Sequence, residues 1–174
     1  TAYGRFWRRY PVPETGLDGE VFIKEYSKWT NPNHRNGRRL IVLAWNPGNA
    51  AVSKLPPCHY TFAFNVLGNK LNCHLTQRSG DIALGIPFNL ACYSLLTMMI
   101  AKECGYELGE FAHTIIDAHI YENHIDGLKE QLTRTPGELP IVKIADKPFN
   151  ELKFDDITLE NYNPQPLIKF EVAV

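Results

Sequence analysis

One of the four cysteines lies in a segment that suits nucleophilic chemistry. Two prolines directly precede Cys58, and because proline restricts its own backbone and that of the residue before it, they fix the direction in which the thiol projects. A thiol is only slightly ionised at neutral pH, so a nucleophilic cysteine needs cations nearby. Arg38, Arg39 and Arg78 flank predicted strands and are the candidate cations. The alternative is a buried cysteine without a chemical role, which we predict for the three that lie in apolar patterns: Cys73, Cys92 and Cys104.

A second candidate site follows the second strand of a predicted hairpin. Arg78 and Ser79 are adjacent there, and a guanidinium beside a hydroxyl suits a phosphate group. Asp81, two residues on, could accept hydrogen bonds from a second polar ligand. The alternative for this segment is an ordinary solvated turn. Asn89 offers both a donor and an acceptor, which matches the edge of a uracil base and equally the capping of a helix.

A third candidate pair ends another predicted strand. His119 and Tyr121 are two residues apart, so an extended backbone turns both side chains to one face, where they could hold sugar hydroxyls. A metal site is not predicted, because no third ligand lies at a fitting spacing and the cysteines form no close pair.

A strand and a hairpin must position the first two sites. Residues 40–45 form a continuous apolar run, which is typical of a strand buried on both faces. Residues 60–66 and 71–75 alternate between apolar and other side chains, and Gly68-Asn69 between them suits a tight turn. This pattern predicts an antiparallel hairpin that begins just after Cys58.

Helices and shorter strands account for the rest of the chain. Residues 89–104 are apolar nearly all round, which predicts a buried helix with Asn89 capping its start and Gly105 its end. Residues 111–116 predict another strand. The other predicted elements are a short helix at 20–29, a loop at 31–37, an amphipathic helix with Tyr121, Ile125, Leu128 and Leu132 on one stripe that ends by Pro136, and short strands at 141–144 and 167–172. Strands and helices mix without regular alternation, so the predicted fold class is α+β, a mixed β-sheet packed with a buried central helix.

Composition excludes several classes of function. The chain has 174 residues, of which 44% are hydrophobic and 21% charged, so it is ordinary globular protein and not a disordered segment. A net charge of −1 gives no support to a nucleic-acid or membrane-surface role. No apolar run is long enough for a transmembrane helix. The irregular spacing of the cysteines predicts an intracellular, cytoplasmic protein with reduced thiols.

Taken together, the motifs resemble thymidylate synthase in order and spacing. The central matches are Pro57-Cys58-His59, Gln77-Arg78-Ser79, Asp81, Gly85-Ile86-Pro87-Phe88-Asn89, Asp117, His119 and Tyr121. The same pattern includes Tyr3-Gly4, Trp7-Arg8, Arg38-Arg39, Ala44-Trp45-Asn46 and the closing Val172-Ala173-Val174. Each piece alone is a weak signal, but the joint pattern is specific and runs from the first residue to the last.

The resemblance implies methylation of dUMP to dTMP, with 5,10-methylenetetrahydrofolate as the one-carbon and hydride donor and no metal. It makes Cys58 the nucleophile that adds to C6 of uracil, with Tyr3 and His59 in the network that serves proton removal from C5. The implied dUMP contacts are Arg38, Arg39, Arg78 and Ser79 at the phosphate, Asn89 at the base, His119 and Tyr121 at the deoxyribose, and Asp81 beside them. The implied folate contacts are Asp81 and the carboxylate of Val174, which would close over the folate.

The resemblance also implies an assembly. Residues 1–174 would form a single thymidylate synthase-like domain that lacks the N-terminal segment of the family, and two copies would dimerise through the sheet. Arg38 and Arg39 would then be donated to the partner's site. Two alternatives are a dUMP hydroxymethylase of the same fold, in which water attacks the exocyclic carbon in place of hydride transfer, and a non-catalytic nucleotide-binding fragment.

Overall fold

A four-stranded mixed sheet forms the centre of the molecule. The computed structural model describes residues 10–12, 17–19 and 37–173. In spatial order the sheet contains β3 (Ile41–Leu43), β4 (His59–Leu67), β5 (Lys70–Asp81) and β6 (Glu107–His119). The β3–β4 and β4–β5 pairs are antiparallel, and β5–β6 is parallel. Two further strands, β1 (Tyr10–Val12) and β2 (Leu17–Gly19), form a separate antiparallel pair.

Helices and a second small ribbon complete the described part of the chain. The helices are α1 (Pro47–Ala50), α2 (Gly85–Cys104) and α3 (Ile125–Leu132), with short 3₁₀ turns at Glu122–His124, Phe149–Glu151 and Phe154–Asp156. The ribbon pairs β7 (Ile141–Ile144) with β8 (Ile157–Glu160). The predicted α+β class is confirmed. None of the described helices is long and apolar enough to cross a membrane.

The predicted hairpin is confirmed and is longer than its alternating pattern. The β4 and β5 strands pair from Leu67↔Lys70 back to His59↔Gln77, and Gly68 takes the left-handed conformation at the turn with a φ of 62°. This register brings the residues just after Cys58 beside the Gln77–Asp81 segment. The two candidate sites that flank the hairpin in sequence therefore meet at its open end.

The core lies between one face of the sheet and α2. Phe62 from β4 contacts the Tyr93 ring from α2 edge to face, with ring centroids 5.2 Å apart. Ile100, about two turns further along the same stripe of α2, is completely buried. The parallel β5–β6 pair requires a crossover connection, and α2 supplies it while covering the sheet. Asn89, near the start of α2, is thus carried by the helix that packs against the core.

The helix α2 departs from its predicted form at its start. It begins at Gly85, so the prediction that Asn89 caps the helix is wrong, and Asn89 lies in the second turn. Pro87 falls within the first turn, where a backbone N–H has no partner in the helix, so proline is tolerated there. Gly105 ends the helix in the left-handed conformation, as predicted. Only one stripe of α2 is buried, because one face alone meets the sheet and Phe88 is 71% exposed.

Three other predictions differ from the structure. The strand at β3 is buried on one face only: Val42 is fully buried, whereas Ile41 and Leu43 are nearly half exposed, because α2 covers one side of the sheet. Residues 167–172 form no strand among the described residues, and β7 pairs with β8, a strand that was not predicted. The amphipathic helix begins at Ile125, after Tyr121.

The predicted strand at 111–116 is confirmed within β6. The predicted helix at 20–29 and almost all of the 31–37 loop lie outside the described residues.

Candidate active site

The thiol of Cys58 lies beside a guanidinium at the open end of the hairpin. Arg78 Nη2 donates to Cys58 Sγ over 3.5 Å and to the Pro56 carbonyl over 2.7 Å, and Nε donates to the Pro57 carbonyl over 3.0 Å. The Arg78 amide also donates to the Cys58 carbonyl. One arginine therefore fixes the proline segment and places a permanent positive charge beside the sulfur. A fixed cation beside the sulfur is the kind of surrounding in which reactive cysteines are found.

His59, the next residue, is a neutral neighbour of the thiol. Its Nδ1 lies 2.6 Å from the Tyr93 hydroxyl, and the two rings meet edge to face. Burial, assisted by the nearby His113, lowers the pKa of His59 to about 4. At neutral pH His59 therefore carries no charge and acts as a hydrogen-bonding group, so the cation that serves Cys58 is Arg78.

The buried amide of Gln77 organises the base-reading candidate. Gln77 is 2% exposed, and its Nε2 donates to Asn89 Oδ1 over 3.0 Å and to the Ser79 carbonyl over 2.8 Å. Its Oε1 accepts a hydrogen bond from His113 Nε2. These bonds orient the Asn89 carboxamide, because its oxygen is engaged and its Nδ2 hydrogens remain for another acceptor. Sequence reasoning assigned no role to Gln77 or His113; the only available signal was a glutamine at an inward-facing strand position.

The ends of β5 and β6 bring the remaining acid and sugar-binding candidates together. Asp81 pairs with His119 in the sheet, and Asp81 Oδ1 accepts a hydrogen bond from the Ala83 amide. The rings of His119 and Tyr121 lie edge to face with centroids 5.1 Å apart, in agreement with their predicted proximity. His119 Nδ1 also lies 3.8 Å from an Asp117 carboxylate oxygen. Ile82, the residue after Asp81, and residues of α3 line a cleft of about 820 Å³. None of the candidate site residues lines this cleft.

The other predicted site residues are not joined to this cluster. Arg38 and Arg39 are exposed just before β3, and neither is a partner in the side-chain hydrogen bonds that Arg78 makes in the described part of the chain. Tyr3 and Val174 lie outside the described residues. Among the residues that the structure describes, no group of three or more potential ligands could hold a metal ion.

The lowered pKa of His59 predicts a loss of stability in mild acid. The unfolded chain binds a proton on His59 near pH 6.5, whereas the folded chain does so only near pH 4. Between these values the unfolded state holds more protons, so the free energy of unfolding falls as the pH falls. The melting temperature should therefore decrease more from pH 7 to pH 4 in the natural chain than in a His59→Asn variant, which cannot titrate. Equal decreases would contradict this, and because His113 contributes in the same direction, some slope will remain in both.

Comparison with known proteins identifies the family. The model of the thymidylate synthase family matches residues 1–174. A thymidylate synthase of Haloferax volcanii is 42% identical over 238 residues, covering 99% of this chain and 70% of that protein. Thymidylate synthases of Listeria monocytogenes serotype 4a (strain HCC23) and Listeria innocua serovar 6a (strain ATCC BAA-680 / CLIP 11262) are 50% and 49% identical over 175 residues, covering 99% of this chain and 54% of each relative. The chain thus spans about half the length of these Listeria relatives.

The resemblance predicted from Cys58, Arg78, Asn89 and their neighbours is thereby confirmed. The chain belongs to the thymidylate synthase family.

Proposed function

We propose that this chain provides the nucleophile and the nucleotide-binding residues of a thymidylate synthase, which methylates dUMP to dTMP with 5,10-methylenetetrahydrofolate. The observation that carries the proposal is the contact between Arg78 Nη2 and Cys58 Sγ, because it places a fixed cation beside a cysteine on a restrained loop. A cysteine held in this way suits addition to an electron-poor carbon. The folate supplies the one-carbon unit and the hydride that reduces it.

Cys58 acts as the covalent catalyst in this proposal. Its thiolate adds to C6 of uracil, which makes C5 nucleophilic, and elimination of the thiolate later restores the ring double bond. Arg78 lies beside the sulfur both when it adds to the ring and when it leaves. The neutral His59 and Tyr3 belong to the network that receives the C5 proton, and the His59–Tyr93 hydrogen bond holds the His59 ring in position.

Arg78 has hydrogens left for the nucleotide phosphate. Its three bonds to Pro56, Pro57 and Cys58 occupy Nε and Nη2, so both Nη1 hydrogens can serve a second acceptor. Ser79 follows on the same strand and adds a hydroxyl. We propose that Arg38 and Arg39 reach the same phosphate from the second subunit of a homodimer formed through the sheet, which is consistent with their exposure.

Asn89 reads the base. Because Gln77 occupies its carbonyl oxygen, the Nδ2 hydrogens suit the O4 acceptor of uracil and oppose the amino group that cytosine carries at that position. The rings of His119 and Tyr121 adjoin each other and bind the deoxyribose hydroxyl. Asp81, beside His119, contacts the nucleotide site and the pterin of the folate, and Val174 is a second folate contact. We further propose a cytoplasmic location, supported by four cysteines that form no disulfide with one another.

Replacing Asn89 by aspartate tests the base-reading role. The carboxylate keeps an acceptor for Gln77 but presents a second acceptor in place of the Nδ2 donor, which suits the cytosine amino group. We expect the preference for dUMP over dCMP, measured as the ratio of their kcat/KM values or of their affinities, to fall on the order of a hundredfold. The reason is that the hydrogen bond to uracil O4 is lost while one to the cytosine amino group is gained. An unchanged ratio in a variant with a natural melting temperature would assign base recognition to other residues.

Tritium release from [5-³H]dUMP tests the proposed activity. The chain is assayed alone and mixed with a polypeptide covering the part of a Listeria relative that it does not match, because it spans only 54% of that protein. Release together with dTMP formation is expected. Release of tritium with hydroxymethyl-dUMP as the product would identify the hydroxymethylase alternative. Nucleotide binding without release in either mixture would identify a non-catalytic nucleotide-binding fragment.

A further inference from the structure

A completely buried histidine outside the proposed chemistry joins two parts of the site. His124 ends the 3₁₀ turn that follows β6, and its side chain is 0% exposed. Its Nε2 lies 2.7 Å from the backbone carbonyl of Glu171, and its Nδ1 lies 3.7 Å from Asp81 Oδ1. Nδ1 has no hydrogen-bond partner among the described residues. A buried ring nitrogen without a partner is costly, so this one requires an explanation.

The partners determine how the ring can be protonated. A carbonyl oxygen only accepts, so Nε2 must carry a hydrogen. Nδ1 then faces the Asp81 carboxylate either as a lone pair, which the carboxylate repels, or as an N–H, which it attracts. The remaining ring neighbours are aromatic: Tyr121 and Phe170 both meet the imidazole edge to face. A small movement of Asp81 would convert the 3.7 Å approach into a hydrogen bond.

The Glu171 carbonyl belongs to the segment that leads to the C-terminus. The same carbonyl accepts a second hydrogen bond, from Asn123 Nδ2 over 3.2 Å. The preceding Phe170 packs closely against α3, because a Cβ on Gly127 would lie 2.6 Å from Phe170 Cε1. Residues 170–171 are therefore attached to the body of the protein, and His124 is the attachment that also reaches Asp81.

We propose that His124 is a positioning residue that links the C-terminal segment, through the Glu171 carbonyl, to the carboxylate of Asp81, so that a ligand at Asp81 stabilises the segment. This inference rests on the proposed function, in which Asp81 and the C-terminus both serve the folate. Ligand contact at Asp81 brings its carboxylate within hydrogen-bond distance of Nδ1 of His124. Because Nε2 keeps its hydrogen for the Glu171 carbonyl, the hydrogen on Nδ1 is taken up from solvent, and both ring nitrogens then donate. The bond from Nε2 then transmits this constraint to residues 170–173.

Two substitutions separate the nitrogens of His124. In His124→Gln the side-chain amide reaches the position of Nε2 and keeps the donor to Glu171, but nothing replaces Nδ1. In His124→Asn the amide lies near the position of Nδ1 and cannot reach Glu171. Asn123→Ala, at an exposed residue, removes the second donor to the same carbonyl and leaves the Asp81 approach intact. Melting temperatures establish that each variant folds, and Asn123→Ala keeps the test available if a buried substitution prevents folding.

The readouts are hydrogen exchange of the peptide that contains residues 170–173 and steady-state kinetics. The probes are dUMP and a stable folate analogue, used in whichever of the two tritium-release mixtures shows activity. Without ligands we expect exchange about tenfold faster in His124→Asn, a smaller increase in Asn123→Ala and none in His124→Gln. With ligands, protection of the peptide should be lost in His124→Gln and retained in Asn123→Ala. KM for the folate should rise about tenfold in His124→Gln while KM for dUMP stays unchanged.

Either of two results would overturn the link. The first is a folded His124→Gln variant whose ligand-induced protection and KM for the folate equal those of the unsubstituted chain. The second is a loss of protection in Asn123→Ala equal to that in the His124 variants. If the unsubstituted chain gains no protection from the ligands, the proposed function fails. The ligand-free exchange of the His124→Asn variant would then still decide whether His124 anchors the segment.

Discussion

Replacement of Cys58 by alanine should abolish covalent trapping of 5-fluoro-dUMP and reduce thymidylate formation by at least about 10⁴-fold. The physical reason is that the proposed mechanism has no path to a nucleophilic C5 without the thiolate adduct, and loss of a covalent catalyst generally costs this much. Reversible binding of dUMP should persist, because Arg78 and Asn89 are untouched. Mass spectrometry of the denatured complex measures the trapping, and equilibrium dialysis measures the binding.

The other cysteines provide matched controls. Cys92 is exposed on α2, so Cys92→Ala removes an accessible thiol without touching the hairpin end. Cys73 is buried in β5, and burial raises its pKa to about 11, which keeps it protonated and unreactive. The pKa of Cys104 is also raised to about 11, by burial and by Glu103. A fluoro-dUMP adduct that survives Cys58→Ala, or one that Cys92→Ala removes, would show that Cys58 is not the nucleophile.

The Cys58 neighbourhood could be predicted from sequence because its geometry is local. The alternation of residues 60–66 and 71–75 around Gly68 specifies an antiparallel hairpin, and pairing outward from that turn brings the start of β4 beside the Gln77–Arg78 segment. A register shift between His59 and Thr61, which the alternation does not predict, sets the final pair His59↔Gln77. The approach of Arg78 to the cysteine segment follows from this register. Side-chain order and one turn therefore predict that the two segments meet at that end of the sheet, but not their exact pairing.

For Asn89 the local sequence leaves two alternatives open, a contact with the edge of a uracil and a helix cap. Its contact with Gln77 depends on how α2 docks on β5, and no local pattern specifies that docking. The cap alternative is wrong because the helix begins at Gly85. The apolar residues of the helix indicated burial on all sides and so did not reveal its exposed face. The β7–β8 pairing was missed for a similar reason, since two four-residue strands separated by turns carry little periodic signal.

Changing Arg78 tests whether one side chain serves both the thiol and the phosphate. In Arg78→Lys the charge remains, but a single ammonium cannot hold the Pro56 and Pro57 carbonyls and also offer the phosphate the two hydrogens that Nη1 provides. We expect kcat/KM for dUMP to fall about 10³-fold, as two or more charge-assisted hydrogen bonds are lost. In Arg78→Ala alkylation of Cys58 by iodoacetamide at neutral pH should slow as well, because the cation beside Sγ is gone.

Comparison of substrates separates the two roles of Arg78. Deoxyuridine lacks the phosphate, so its affinity should be the same in Arg78→Lys as in the natural chain. The affinity of dUMP should fall in Arg78→Lys until it is close to that of deoxyuridine. Arg134→Lys is the matched control, because Arg134 also donates to a backbone carbonyl, that of Pro166, and pairs with Glu130 away from the hairpin end. If dUMP and deoxyuridine lose affinity equally, Arg78 acts on the loop and not on the phosphate. If Cys58 alkylation is as fast in Arg78→Ala as in the natural chain, the guanidinium does not activate the thiol, and the proposal loses the observation that carries it.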